Sequence, residues 1–101
     1  MIIYEITAKV RADLVEQYEK YMCKKHIPDL METKFFRGAK FARSGENRYR
    51  IQYEAPDQNA LDEYLRTDAT RLRDDFFAHF GEGVEVSREN WEVLQIFESD
   101  S

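Results

Sequence analysis

His26 follows Met22 by four residues and Cys23 by three, and Asp29 and Glu32 continue beyond it in steps of three. An imidazole titrates near neutrality, so this side chain can act as a general base or as a polar contact for a ligand. On a helix, the spacing from Met22 turns its ring toward the apolar side. A structural role is equally open, because a His near a helix C-terminus bonds the last carbonyls and complements the dipole. Cys23 and His26 have the composition of a nucleophile and its base. Their spacing supplies no third group to orient the imidazole, so an ordinary thiol is expected. His26, Asp29 and Glu32, with His79 as the only other His, are metal-ligand types. Pro28 interrupts the regular helix that would align them, and no metal or other cofactor is expected.

Aromatic residues offer a second chemistry. Tyr18, Tyr21, Phe76, Phe77 and Phe80 fall at helical spacings and read first as core, yet a helix-to-sheet cleft lined by Tyr and Phe suits a small aromatic ligand. His26, Tyr4, Tyr18, Tyr53 and Phe76 are the candidate ligand contacts. A third feature is electrostatic: from Lys34 to Arg50 the bases are Lys34, Arg37, Lys40, Arg43, Arg48 and Arg50, with Glu46 the only acid. This cationic stretch could hold an anion, or it could pair with Glu82, Glu85, Glu89 and Glu92 of the acidic C-terminal part, within or across subunits.

The elements that must position these residues are legible from periodicity. Ile2, Tyr4, Ile6, Ala8 and Val10 alternate along one face of a strand, with Ile3, Glu5, Thr7 and Lys9 on the other. Asp13 and Glu16 have the spacing of a capping box, and Leu14, Tyr18, Tyr21 and Met22 predict a helix from about Leu14 toward Lys25. Pro28 is expected to push Ile27 out of the helical region, ending that helix and leaving a kink and a short turn over 26–33. Strands are predicted over 35–43 and 48–55, joined by a turn at Ser44, Gly45, Glu46 and Asn47. Leu61, Tyr64, Leu65, Leu72, Phe76 and Phe80 form the stripe of a second helical region that Gly81 stops, bent or split at Thr67, Asp68 and Thr70. Residues 84–97 are strand-like at both ends, either as one bulged strand or as a tight hairpin.

That order is βαββαβ, the ferredoxin-like plan of α+β class, with two helices on one face of a four-stranded antiparallel sheet. Its open face would carry Ile3, Glu5, Thr7, Lys9, Arg48, Arg50, Gln52 and Glu54. Trp91, Leu94, Ile96 and Phe97 add more apolar surface than one small sheet hides, which predicts a homodimer. The 101 residues, 43% hydrophobic and 35% charged, make one domain over 1–101. A net charge of -5, with Tyr4, Tyr49 and Tyr53 on the helix-covered face, argues against nucleic acid as a partner. Short apolar runs and an N-terminus without a basic region predict no membrane partner and a cytoplasmic location.

The stretch His26-Ile27-Pro28-Asp29-Leu30-Met31-Glu32-Thr33, with Phe36 after it, resembles the signature of a small bacterial domain-of-unknown-function family. The strand Ile2-Ile3-Tyr4-Glu5-Ile6-Thr7 and the run Ala69-Thr70-Arg71-Leu72-Arg73 ahead of Phe80-Gly81 share that resemblance, which covers nearly the whole chain. It implies a subunit of the dimeric α/β barrel superfamily, which includes cofactor-independent antibiotic-biosynthesis monooxygenases, haem-degrading monooxygenases and stress-responsive barrel proteins. Three functions follow as expectations. The first is binding of a small, partly apolar molecule between helices and sheet, the second a cofactor-independent monooxygenase, and the third a non-catalytic dimerisation or interaction role.

Overall fold

The alternation at the N-terminus becomes the central strand β1 (Ile2–Val10) of a computed structural model that describes residues 1–100. After a 3-10 turn at Ala12–Leu14 come α1 (Val15–Tyr21), a π turn (Met22–His26) and α2 (Ile27–Glu32). The hairpin β2 (Gly38–Ser44) and β3 (Arg48–Ala55) follows, then α3 (Gln58–Thr67), α4 (Ala69–Phe80) and β4 (Val84–Glu92). Strand order is β2-β3-β1-β4, with every neighbouring pair antiparallel. Tyr4 pairs with Tyr53 and Ile6 with Ile51, so their side chains share the face the helices cover. Tyr4, Ala8, Val10, Tyr49, Ile51, Tyr53 and Ala55 are buried there against Tyr18, Leu30, Leu61, Tyr64, Leu72 and Phe76. This is the α+β ferredoxin-like architecture that the residue pattern predicts. Among the described residues no helix is long and apolar enough to cross a membrane.

Four local expectations give way. The first helical region does not end at His26: Ile27 keeps helical angles (φ -64°, ψ -46°), and its amide donates to the Met22 carbonyl five residues back. In an unbroken α-helix the Pro28 ring would collide with the carbonyl of Lys24. One extra residue in the turn gives the ring room, so the chain stays helical to Glu32. Lys34 then closes it in the left-handed region at φ 69°. The Asp13 and Glu16 capping box does not form either, because Asp13 pairs with Arg11 at 2.6 Å and the α1 N-cap, Leu14, receives no side-chain bond.

The last strand is neither bulged nor a hairpin. Its register runs without a break from Val10↔Val84 to Ile2↔Glu92, and β1 offers a partner at every step. Arg88, expected in a connection, thereby sits in the strand opposite Ile6, and regular structure stops at Glu92 instead of Phe97. In the hairpin, β2 starts at Gly38, later than residue 35, because Phe36 is buried in the core and Arg37 only begins the ladder through its bond to the Glu54 carbonyl. The predicted break in the second helical region is present. Thr67 Oγ1 bonds the Glu63 carbonyl, and α4 starts afresh at Ala69. Gly81 ends α4 at φ 52°.

Two aspartates test which caps matter. Asp57 accepts from the Ala60 amide at 2.8 Å and caps α3, whereas Asp13 caps nothing. Asp57→Ala should lower unfolding free energy by about 1 kcal/mol in urea titrations. Asp13→Ala should leave the midpoint nearly where it is.

Candidate functional site

The widened turn decides where His26 goes. Each i,i+4 step of an α-helix overshoots a full turn by about 40°. The extra residue takes back part of that overshoot, and Tyr18, Met22, His26 and Leu30 all stay buried on the line facing the sheet. His26 is 8% exposed and lies between Tyr21 and Phe76, its ring centroid 5.8 Å and 5.6 Å from theirs. Its Nδ1 is buried without a hydrogen-bond partner. The helix-capping role is therefore not taken up, because the chain continues helical past this residue. Burial lowers its pKa to about 4; Asp29 and Asp75 partly oppose the shift, and Arg88 and Lys25 add to it. At neutral pH the imidazole is uncharged.

Beside His26 a small cavity of about 30 Å³ opens between the helical layer and the β1/β4 side of the sheet. Tyr4, Tyr18, Tyr64, Phe76, Met22, Ile6 and Val86 wall it together with Arg73 and Arg88. Of the candidate contacts, His26, Tyr4, Tyr18 and Phe76 meet here. Tyr53 does not: it is fully buried one strand away on β3, and its hydroxyl has no partner. Arg73 reaches in from α4, donating from Nη2 to Tyr4 Oη at 2.9 Å, and its Nε is buried without a partner. Arg88 comes from the helix-facing side of β4 and forms no ion pair among the described residues. Neither arginine was singled out from sequence. The available signal was alternation along Val84, Val86 and Arg88, which puts a cation at an inward position once 84–92 is read as one strand.

The other candidate chemistries fall apart in space. Cys23 is exposed while His26 is buried, so the two do not form a nucleophile and base. Among the described residues no three His, Cys, Asp or Glu side chains are arranged to hold a metal ion. Asp75 instead accepts from the Tyr21 hydroxyl and lies 3.8 Å from Lys25 Nζ, and that hydroxyl bond holds its carboxyl below the usual range. Among the described residues no ion pair joins the cationic hairpin to Glu82, Glu85, Glu89 or Glu92 within the subunit, because β1 lies between β3 and β4 and supplies nearer partners. Arg43 pairs with Glu19 at 3.1 Å and Arg50 with Glu5 at 3.2 Å. On the open face, Glu5 is also held by Gln52 Nε2 at 3.1 Å and Trp91 Nε1 at 3.2 Å. A shallow trough of about 910 Å³ crosses that face near Lys9, Arg48, Arg50 and Glu85. Its breadth and charged walls suit a flat partner surface better than a small ligand.

A four-stranded antiparallel sheet with helices on one face and a cleft between the layers defines a ferredoxin-like α+β protein. Solved structures share that build. SnoaB from Streptomyces nogalater, a cofactor-independent oxygenase, matches with a TM-score of 0.75 at 10% identity, over 97% of this chain and 98% of its own. A dimeric ferredoxin-like protein from an uncultured marine organism matches with a TM-score of 0.75 at 7% identity, over 98% of this chain and 100% of its own. The haem-degrader MhuD from Mycobacterium tuberculosis, with two haems in its active site, gives 0.66 at 18% identity over 97% of this chain and 100% of its own. At these identities the likeness is one of fold. No curated protein matches the chain in sequence. The chain belongs to the family described as domain of unknown function (DUF4286), whose profile covers residues 1–94.

The pKa of His26 has a measurable consequence. Unfolded, the imidazole takes a proton near pH 6.5; folded, only near 4. The unfolded state binds more protons between those values, so unfolding free energy falls as pH drops through 6.5 and levels off below the folded pKa. Between about pH 7 and about pH 5 the loss should be about 2 kcal/mol. Asp75 and Glu19, both with lowered pKa, weaken the fold in the same direction at lower pH. His26→Leu isolates the imidazole: the parent's urea midpoint should fall markedly relative to the variant's on going from neutral to mildly acid buffer.

Proposed function

We propose that this protein is a homodimer that binds a small, partly apolar molecule in the cleft beside His26. The observation that carries the reading is the pair of buried nitrogens, His26 Nδ1 and Arg73 Nε, left without partners at one cavity. Buried polar atoms without partners cost stability, and a site that must bond something from outside is a common reason for keeping them. The aromatic walls supply an apolar lining around these few polar groups. About 30 Å³ holds a group near the size of water, so a larger body fits only when the long side chains of Arg73 and Arg88 shift. This favours a small ligand. A catalytic version, in the manner of a cofactor-independent oxygenase, rests on one feature: a neutral imidazole can take a proton from an acidic substrate.

The dimer is supported by the opposite face. Trp91, Leu94, Ile96 and Phe97 are exposed, the last three by 63% or more. Lys40 and Arg48 lie toward the β2 side of the open face, while Glu85 and Glu89 lie on β4 at the other edge. A two-fold axis parallel to the strands, between stacked sheets, sets one copy's cations over its partner's acids. That a ferredoxin-like protein of the same fold is dimeric supports self-association, though at 7% identity the support is one of fold.

Light scattering at micromolar concentration should give twice the chain mass of 12.1 kDa, and a clean monomer would refute the assembly. Native mass spectrometry of freshly purified protein should reveal a small adduct whose occupancy drops in His26→Leu but not in the α3 surface variant Arg66→Gln. An adduct indifferent to His26→Leu, or none at all, counts against the cleft.

A further inference from the structure

We infer that the cleft selects an anion: the carboxylate of a small organic acid, held between Arg73, Arg88 and His26 with its apolar body against the Tyr and Phe walls. This rests on the binding reading above and adds the class of ligand. The chain carries a net charge of -5, yet two guanidiniums line one small cavity with no carboxylate partner for either among the described residues. Of the seven other arginines, Arg11, Arg43, Arg50, Arg66 and Arg71 pair with acids, and the two that do not, Arg37 and Arg48, line no cavity between the layers.

Arg73 is partly buried, with one nitrogen on Tyr4 Oη and another buried and unused. A guanidinium presents its donors in a planar fork that matches the two oxygens of a carboxylate. The free Nε is one of those donors. Arg88 brings a second positive charge from the opposite wall, and its field reaches both His26 and Tyr64. An uncharged His26 offers an N–H from one ring nitrogen without a competing counter-ion. A neutral ligand forfeits the charge-assisted bonds that an acid gains from the two guanidiniums, of which Arg73 is the partly buried one.

The cavity as it stands holds only a group near the size of water, so the acid enters as Arg73 and Arg88 shift to clasp its carboxylate, and its body then lies against the aromatic lining. Phosphate, with more charge and no apolar body, gains nothing from the aromatic walls. A benzoate-like acid uses both.

The test is titration of the full-length protein with benzoate, with its neutral isostere benzamide and with inorganic phosphate, followed by amide NMR and calorimetry. Benzoate should perturb residues around Met22, His26, Arg73 and Arg88 and bind at least about tenfold tighter than benzamide. Arg88→Gln, an exposed position that leaves the fold intact, should weaken benzoate about tenfold or more, with Arg73→Gln acting likewise. Arg66→Gln, exposed on α3 and away from both the cleft and the open face, should change nothing. Equal binding of benzoate and benzamide at the cleft, unaffected by Arg88→Gln, overturns the anion assignment while sparing the cleft as a site. Phosphate binding as tightly as benzoate overturns the need for an apolar body. Perturbation confined to the open-face trough, or none with any probe, overturns this inference and the cleft reading together.

Discussion

Pro28 has no amide hydrogen, and its ring needs the space that the carbonyl of Lys24 would fill in an unbroken α-helix. The chain meets that constraint by adding a residue to one turn, with the Ile27 amide reaching back to Met22, and not by breaking the helix. Much else depends on the choice. The stripe Tyr18, Met22, His26 and Leu30 stays on the sheet side, so a polar ring that would otherwise drift toward solvent is packed between Tyr21 and Phe76. A helix ended at Lys25 would have left His26 as a cap on exposed carbonyls. The wide turn makes it a desolvated, uncharged member of a cavity wall.

Charge is divided between the two faces of the sheet in a way the overall balance conceals. On the open face Glu5 is held by Arg50, Gln52 and Trp91, while Lys40 and Arg48 lie toward one edge and Glu85 and Glu89 along the other. Under the helices the cations Arg73 and Arg88 face a cavity without an acid to answer them. The first arrangement suits a flat partner with the same pattern, and the second a small molecule that brings its own charge. One sheet thus presents two faces of different charge pattern, because alternate residues of a strand point to opposite sides.

The packing that supports the cleft is aromatic. Tyr4 contacts Phe36, Tyr53 and Tyr64 with ring centroids 5.9–6.1 Å apart, and Tyr18 lies 4.8 Å from Tyr49. Such rings bury large areas with few rotatable bonds, which gives a rigid wall. Their hydroxyls must then be answered. Tyr49 donates to Glu19 at 2.5 Å and Tyr4 accepts from Arg73, whereas Tyr53 goes without a partner in the core. Burial pushes the Tyr18, Tyr53 and Tyr64 hydroxyls well above their ordinary pKa, so these side chains remain neutral hydrogen-bonding groups.

Periodicity alone determined the strands at 2–10 and 48–55, the split of the second helical region at Asp68 and the face on which Tyr4, Ile51 and Tyr53 lie, because alternation and i,i+4 recurrence are local properties of the chain. The gathering of His26, Tyr4, Tyr18 and Phe76 at one cleft was within reach for the same reason: each lies on the inward side of its own element. What the tertiary structure decided was non-local. Residues 84–92 form one regular strand because β1 supplies a bonding partner at every position, which no reading of that segment in isolation provides. Only that pairing carries Arg88 to the helix-facing side, and only the packing of α4 over β1 brings Arg73 to Tyr4. The Asp13 cap failed for a local reason by contrast, since Arg11 two residues away takes its carboxylate. The side of an element on which a residue lies is set by neighbours along the chain, whereas the extent of β4 and the surroundings of Arg73 and Arg88 are set by neighbours across it.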